Sequence, residues 1–541
     1  MPKNRKLTYK GTKMSSKQVY ILDTTLRDGQ QSPGAGMSFE DNLHYAEIAN
    51  KLHVDILEAG FPSASNADFA IVNRISQNMA NVNSTMKISA LCQLREDQVI
   101  KTMESLQPSL AIGRARIHIY VPVDPELMAA SLGKLADDKP AIIATVHRLI
   151  KMMADQGFEV EFSPEGYSRQ RDNFDFVTDL IRHAIDAGAT VINCPDTIGG
   201  ASHFQGEAYF INNMAKHKEI MSQEFPNKEI IWSMHCHNDF GTALENSLNG
   251  VFRGIARQIE GCINGVGERA GNVALEQCIM MIRQFGQESH LPQAYHTNID
   301  IQYLKEASDF IAERMLPRQP HSPIVGKNSA SHTSGGHINA ILKNPLAYQP
   351  FDPRDVGSEI SFVFGPLSGS NHAQQILAKF GYQCEDSEKV AVTQAIKDTY
   401  ADRRKGITDD ELLSAYKKYR SAIKLEDLSY AKDHSGKTTV TFHGQFFTQQ
   451  DLVVEYQGRS SALSALNKAV NAQLPTVTVI DYSSHSKGVT VDATCASTIL
   501  IDYNGKRFNA EAEDDDIEIS ALKAFIAAVN VAYVEENFKL N

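Results

Sequence analysis

Three short segments carry the side chains with most chemistry to offer. Asp23-Thr24-Thr25-Leu26-Arg27-Asp28-Gly29-Gln30 follows an apolar run, and His235-Cys236-His237-Asn238-Asp239 closes another run far downstream. Histidines at i and i+2 share one face of an extended strand, because successive side chains alternate. An imidazole pair in that arrangement suits a divalent metal, and a carboxylate such as Asp28 completes a mixed nitrogen–oxygen donor set. Neither piece is specific alone: an H-x-H occurs by chance, and an Arg-Asp pair after a strand can be a surface ion pair. By the same alternation Cys236 points away and reads as a small buried thiol. The third segment, Gly265-Val266-Gly267-Glu268-Arg269-Ala270-Gly271, superficially resembles a dinucleotide fingerprint. Its spacing is wrong and it does not follow the first strand. It reads as a tight turn supporting a metal site, with backbone N–H groups that could also help hold an anionic group.

Those segments need a scaffold that brings them together. Short apolar runs predict eight strands, at 19–26, 55–61, 87–92, 115–121, 159–164, 190–195, 230–237 and 258–264. Helix-like stretches such as 41–52 and 174–187 lie between them, with apolar residues three and four apart. Eight βα units over about 270 residues predict a TIM (β/α)8 barrel. A doubly wound open sheet would place a glycine-rich turn after its first strand, where this chain has Arg27-Asp28-Gly29. Asp28, Glu58, His118, Glu165, Thr197, His235, His237 and Glu268 all fall at or near strand C-terminal ends, the barrel face on which active sites are built. Strands seven, eight and one are neighbours in a closed barrel, so Asp28 can meet the two histidines.

Composition narrows the class. The 541 residues exceed one ordinary core and predict two to four domains. Hydrophobic residues at 42% and charged ones at 22% are ordinary for a soluble globular protein. A formal charge of −12 argues against nucleic acid as the main partner. Seven dispersed cysteines without a CxxC pair predict reduced thiols in a cytoplasmic setting. No run approaching the roughly 20 apolar residues of a membrane span is legible, which predicts no membrane partner. Residues 1–17 are polar and lysine-rich and read as a disordered leader.

Past about residue 290 the pattern turns helical, for instance over 301–312 and 408–424. Between these, 326–344 is rich in glycine and histidine and reads as a functional loop. The last hundred or so residues hold a repeat: 461–471 and 520–530 agree at seven of eleven positions. Each copy follows strand-like sequence with a turn glycine, Gly458 or Gly505. That predicts a pseudo-twofold α+β domain with an internal βα repeat. The acidic run 511–516 reads as a solvated turn before a helix.

With these residues in view, DTTLRDGQQ, HCHNDFGTALENSLNG and NGVGERAGNVALE resemble the α-isopropylmalate/homocitrate synthase family of metal-dependent TIM barrels. The resemblance extends through Glu58-Ala59-Gly60-Phe61-Pro62, Tyr348-Gln349-Pro350-Phe351-Asp352-Pro353 and the repeat domain, nearly the whole chain. It implies a catalytic barrel over 18–290, a helical linker with a His-bearing loop over 291–427, and a regulatory or dimerisation domain over 428–541. It implies a metal held by Asp28, His235 and His237 with Asn272 beside it, the ion being Mg²⁺, Mn²⁺ or Zn²⁺. Arg27 matches the arginine at the oxo-acid carbonyl; His118, Ser163, Glu165 and Thr197 match the 2-oxo acid pocket. Glu268 matches a glutamate near the metal, and His337 with Tyr348 matches a pair supplied by the linker of a partner subunit, His337 as candidate base.

The implied reaction condenses acetyl-CoA with a 2-oxo acid, 3-methyl-2-oxobutanoate first among them, in a homodimer with leucine as effector. A citramalate- or homocitrate-forming sister and a non-catalytic metabolite-binding paralogue are the alternatives. The chain departs from the family pattern at Asn42, where lysine is usual, at Glu245, at Gly336, and after His118, where Tyr120-Val121-Pro122 stands. The acidic run 511–516 also matches poorly with a glycine-containing loop usual in the family.

Overall fold

Strand β1, Tyr20–Asp23, pairs in parallel with β2, Ile56–Glu58, on one side and with β8, Gln258–Gly261, on the other. The intervening strands are β3 (Lys87–Gln93), β4 (Ala115–Pro122), β5 (Glu159–Glu165), β6 (Val191–Asp196) and β7 (Ile231–Cys236). They close a parallel barrel in sequence order in this computed structural model, which describes residues 16–403, 406–457, 461–487 and 494–540. The expected barrel is therefore present. The leader up to residue 15 and Gly458 lie outside the described residues, and Lys17 already pairs with Tyr295 in a two-residue strand.

The strands end where polar side chains take over backbone bonding. The run expected at 19–26 stops at Asp23, whose carboxylate accepts from the Thr25 N–H at 2.9 Å and from its hydroxyl at 2.5 Å. The amides of Arg27, Asp28 and Gly29 then converge on the Thr24 carbonyl, turning the chain over the barrel mouth. The run expected at 258–264 stops at Gly261, and a 3-10 turn with Asn264 at φ 60° follows. Helices between strands start on side-chain caps. Ser38 and Asp41 form a reciprocal box at Phe39–Lys51, and Gly188 at φ 118° ends Phe174–Ala187.

The chain divides into two compact units. The first comprises residues 1–330 and 351–360, and the second residues 331–350 and 361–541. The second unit opens with the parallel pair Ser331–His332 and Ser361–Phe362 and the helices Gly335–Lys343, Ser370–Lys379, Lys389–Thr399 and Asp409–Arg420. His337, expected in a loop, therefore sits in a helix: Ile338 and Ile341 are buried and supply an apolar face that the glycines obscured in sequence.

The repeat appears as two copies of a three-stranded antiparallel sheet followed by a helix. Strands β9 (Ile423–Lys432), β10 (Lys437–Phe446) and β11 (Gln449–Gln457) precede Ala462–Gln473. Strands β12 (Thr478–Lys487), β13 (Thr494–Tyr503) and β14 (Lys506–Asp514) precede Ile517–Phe538. One core joins Val440, Phe442, Leu466, Ile499, Leu522 and Phe525 from both copies. The last helix has 22 residues and a mean hydropathy of 1.6 in its most apolar window, enough by length and composition for a membrane span. This differs from the expectation that no run approaches the length of a membrane span. Leu522, Ala524, Phe525, Ala528 and Val529 are each fully buried in the shared core, which accounts for the helix's hydropathy.

Candidate active site and metal centre

The barrel interior is polar through much of its depth. Arg116 on β4, 2% exposed, pairs with Glu159 at 2.8 Å and Glu161 at 3.0 Å on β5 and donates to the Gln258 side chain of β8. Above it, Arg27 donates to Glu58 at 2.6 Å, to Asp28 at 2.6 Å and to Glu260 at 2.9 Å. One guanidinium thus ties β2, β8 and the turn after β1. His118 Nδ1 lies 2.7 Å from Glu58 Oε1, and its Nε2 lies 2.6 Å from the Ser163 hydroxyl. Asn193 donates to both Ser163 and Glu260.

At the mouth, the Nε2 atoms of His235 and His237 face each other at 3.3 Å. Asp28 Oδ2 is 3.7 Å from the first and 4.0 Å from the second. His237 follows the last residue of β7, yet an isolated bridge to Asn272 keeps its backbone extended, so both rings stay on one side. Asn272 donates to Asp28 Oδ1 at 2.9 Å, fixing the carboxylate from behind. Cys236 is a buried free thiol, as the alternation predicts.

Electrostatics separate these groups. Burial would raise Asp28, but Arg27, His235, His237 and the Asn272 bond hold it at about 2. Burial pushes both histidines down to about 4, leaving them neutral at physiological pH. Burial would lower His118 too, but Glu58 overcomes it and lifts His118 to about 9, a buried imidazolium. Glu260, buried beside Glu58 and Asp28, is pushed up to about 7 despite His118 and Arg27. Glu165 is raised by burial.

The donor set fits a divalent ion. Two neutral imidazole nitrogens and a carboxylate oxygen converge within 4.8 Å of one another, all buried. Two ring nitrogens 3.3 Å apart cannot both carry protons without crowding, so at least one lone pair faces the shared space. The Nδ1 atoms of both rings lack hydrogen-bond partners; that of His235 lies 3.3 Å from Glu260 Oε1 without bonding geometry. A second group, Glu58, His118 and Glu260, is equally close. Its oxygens and nitrogens are already engaged by Arg27, Thr24, Ser163 and Asn193, so it reads as a structural network.

A cavity of about 230 Å³ opens over these groups, lined by Arg27, Asp28, His118, Ser163, Glu165, Thr197, His235, His237 and Glu268 among others. It thus gathers most of the candidate residues; Asn272 stands behind Asp28. Glu268 is half-exposed, and Thr197 accepts from the Gly166 N–H at 3.0 Å. His337 and Tyr348 belong to the second unit, where their rings stack with centroids 3.9 Å apart. The departures have local partners: buried Asn42 accepts from Gln30 at 2.7 Å, and Glu245 pairs with His203 at 2.6 Å.

Three participants escaped the sequence reading: Glu260, Asn193 and Arg116. Each points inward from mid-strand, and a charged or amide side chain two positions from another on a parallel strand is the available signal. Gln258 and Glu260 on β8 show it.

Residues 18–311 match the HMGL-like family, 324–405 the homocitrate synthase post-HMGL domain-like family, and 408–533 the LeuA allosteric (dimerisation) domain. The 2-isopropylmalate synthase of Chromobacterium violaceum is 31% identical, covering 96% of this chain and 98% of that one. That of Nitrobacter hamburgensis is 32% identical, covering 96% of both. Among solved structures, the HMG-CoA lyase of Bacillus subtilis aligns with 56% of this chain and 96% of its own, at 18% identity and a TM-score of 0.44.

Proposed function

This chain belongs to the 2-isopropylmalate synthase family, and from that premise we propose that its barrel condenses acetyl-CoA with 3-methyl-2-oxobutanoate and releases 2-isopropylmalate and CoA, a step of leucine biosynthesis. The observation that carries the reading at residue level is the meeting of Asp28, His235 and His237 beside Arg27 over one cavity. Asp28, His235 and His237 would hold a divalent ion, Mg²⁺, Mn²⁺ or Zn²⁺, with Asn272 setting the Asp28 rotamer. When bound, such an ion supplies Lewis acidity at the oxo-acid carbonyl.

The remaining chemistry falls to the chain itself. Arg27 is fixed by three carboxylates and presents a positive charge that needs no reorganisation as negative charge develops on the ketone oxygen. His118, charged, gives its two N–H groups to Glu58 and Ser163 and so leaves the Ser163 hydroxyl as the donor in the cavity wall, which Glu165 and Thr197 also line. Glu268 stands at the mouth, where the thioester must pass. His337, packed on Tyr348, is our candidate for removing the proton from the acetyl methyl group through a ring nitrogen. It would be delivered by a partner subunit of a homodimer, which the LeuA dimerisation match favours. Leucine, acting on the repeat domain, is the proposed effector.

Thiol release from acetyl-CoA tests the reading, using purified, metal-loaded protein with 3-methyl-2-oxobutanoate, pyruvate and 2-oxoglutarate in turn. Fastest turnover with the branched acid is expected. Preference for either other acid would move the chain to a sister synthase, and no release with any would overturn the catalytic reading.

A further inference from the structure

Where the last linker helix, Asp409–Arg420, meets the repeat domain, the second unit holds a cavity of about 310 Å³. Its walls are the end of that helix, the start of β9, the turn between β10 and β11, and the end of the terminal helix. Tyr419, Phe447, Tyr533 and Phe538 supply aromatic rings, and Arg420 and Lys424 supply two positive charges. Among the described residues, no aspartate or glutamate lines it. The volume lies at the lower end of small-molecule sites, about 300–1,000 Å³.

The protein leaves both cations incompletely used. The Arg420 guanidinium lies 4.4 Å from the Phe538 ring centroid and 5.7 Å from that of Tyr419, so it sits among rings that line the cavity. One terminal nitrogen donates to Glu388, whereas the buried Nε has no hydrogen-bond partner. A charged donor left unpaired in a buried position is costly, and a carboxylate is the acceptor that matches a guanidinium fork. Lys424 Nζ lies 5.6 Å from the same Tyr419 ring. Its neighbour across the β9–β10 ladder is Gln445 rather than an acid, and it has no carboxylate partner among the described residues.

A ligand that satisfies these walls carries one negative charge and an apolar body. An amino acid fits less well, because its ammonium would meet two cations and no acid. We infer that this cavity binds a small apolar monocarboxylate, with Arg420 and Lys424 receiving the charge and the four rings covering its aliphatic part. None of the residues around it lines the barrel cavity, so the site is separate from the proposed condensation.

Calorimetric titration of the full chain with 4-methylpentanoate tests it. This probe lacks the 2-oxo oxygen that a barrel metal would chelate. Lys424 is exposed, so substituting it leaves the core intact. Binding to the wild type is expected, with an affinity at least tenfold lower in Lys424→Glu. Arg420→Lys, which keeps the charge and loses the Nε donor, should weaken binding as well. Acetate has the charge without the apolar body, and 4-methylpentanamide the body without the charge. Each should bind at least tenfold more weakly than the acid. No binding of the acid to the wild type, or equal affinity in wild type and Lys424→Glu, would overturn the inference. Equal affinity for acetate would overturn the apolar part of the assignment, and equal affinity for the amide would remove the two cations from it.

Discussion

Arg27 holds three carboxylates within 2.9 Å, so at residue level the site is a balance of buried charges more than a set of independent ligands. Asp28→Ala or His235→Ala should abolish bound metal, measured by elemental analysis after dialysis, and turnover with it. The circular dichroism spectrum should stay near wild type, because β1 and β7 keep their backbone ladders. Retained activity in a metal-free variant would remove the assignment. His118 gives a pH prediction with a definite sign. Its folded value of about 9 lies above the ordinary 6.5. The stability it contributes is therefore complete below pH 6.5 and lost as pH rises through about 9. The shift corresponds to about 3 kcal/mol at most. In urea titrations, the stability gap between wild type and His118→Gln should shrink from pH 6 to pH 9.5; a constant or growing gap would contradict the pairing with Glu58.

At the level of elements, the barrel's lower layer matters as much as its mouth. Arg116 is the only side chain joining Glu159, Glu161 and Gln258 at once among the described residues. Arg116→Met strands the fully buried carboxylate of Glu161, while Glu159 keeps Lys87, and should cost about 3–5 kcal/mol, since breaking a buried pair leaves an uncompensated charge. The readout is a lowered denaturation midpoint, accompanied by unchanged metal affinity in the protein that remains folded. The loop after β8 is constrained differently. Gly271 has φ 82°, and a Cβ there would lie 2.0 Å from the Gly265 carbonyl oxygen. Gly271→Ala should therefore displace the adjacent Asn272 and weaken metal binding at least tenfold, with little change in global stability. Metal titration against a competing chelator would measure it.

For the whole molecule, the terminal helix Ile517–Phe538 binds two parts of the second unit together. Leu522 and Phe525 fill the repeat core, while Val534 belongs to the core of the linker helices. The backbone of Phe538 also accepts from Gln383 at 2.8 Å. Truncation before Leu428 should therefore abolish leucine inhibition and also expose the linker core, detected as increased proteolysis there, while barrel metal binding persists. Leucine inhibition is best tested on the full chain, by calorimetry and by turnover in millimolar leucine. No binding and no inhibition together would leave the repeat a structural role. If His337 acts across a subunit boundary, mixing inactive His337→Ala and Asp28→Ala proteins should restore part of the activity in hybrid dimers. No recovery despite proven subunit exchange would place His337 in its own chain's site or outside catalysis.

What the sequence alone determined is what local spacing can encode. The period-two alternation placed His235 and His237 on one face, the recurrence of βα units set the barrel, and the duplicated alanine-rich segments announced the paired helices. Each depends on neighbours in the chain. Tertiary structure decided which distant groups neutralise one another. Nothing near Glu260 in sequence says that it meets Arg27 and Asn193, because those contacts exist only once the barrel closes. The same holds for the terminal helix. Its apolar run has the composition of a membrane span, and only the sheets and helices packed on it give that surface a protein partner. Local pattern sets where a side chain points, whereas its charge state and its solvent are properties of the assembled interior.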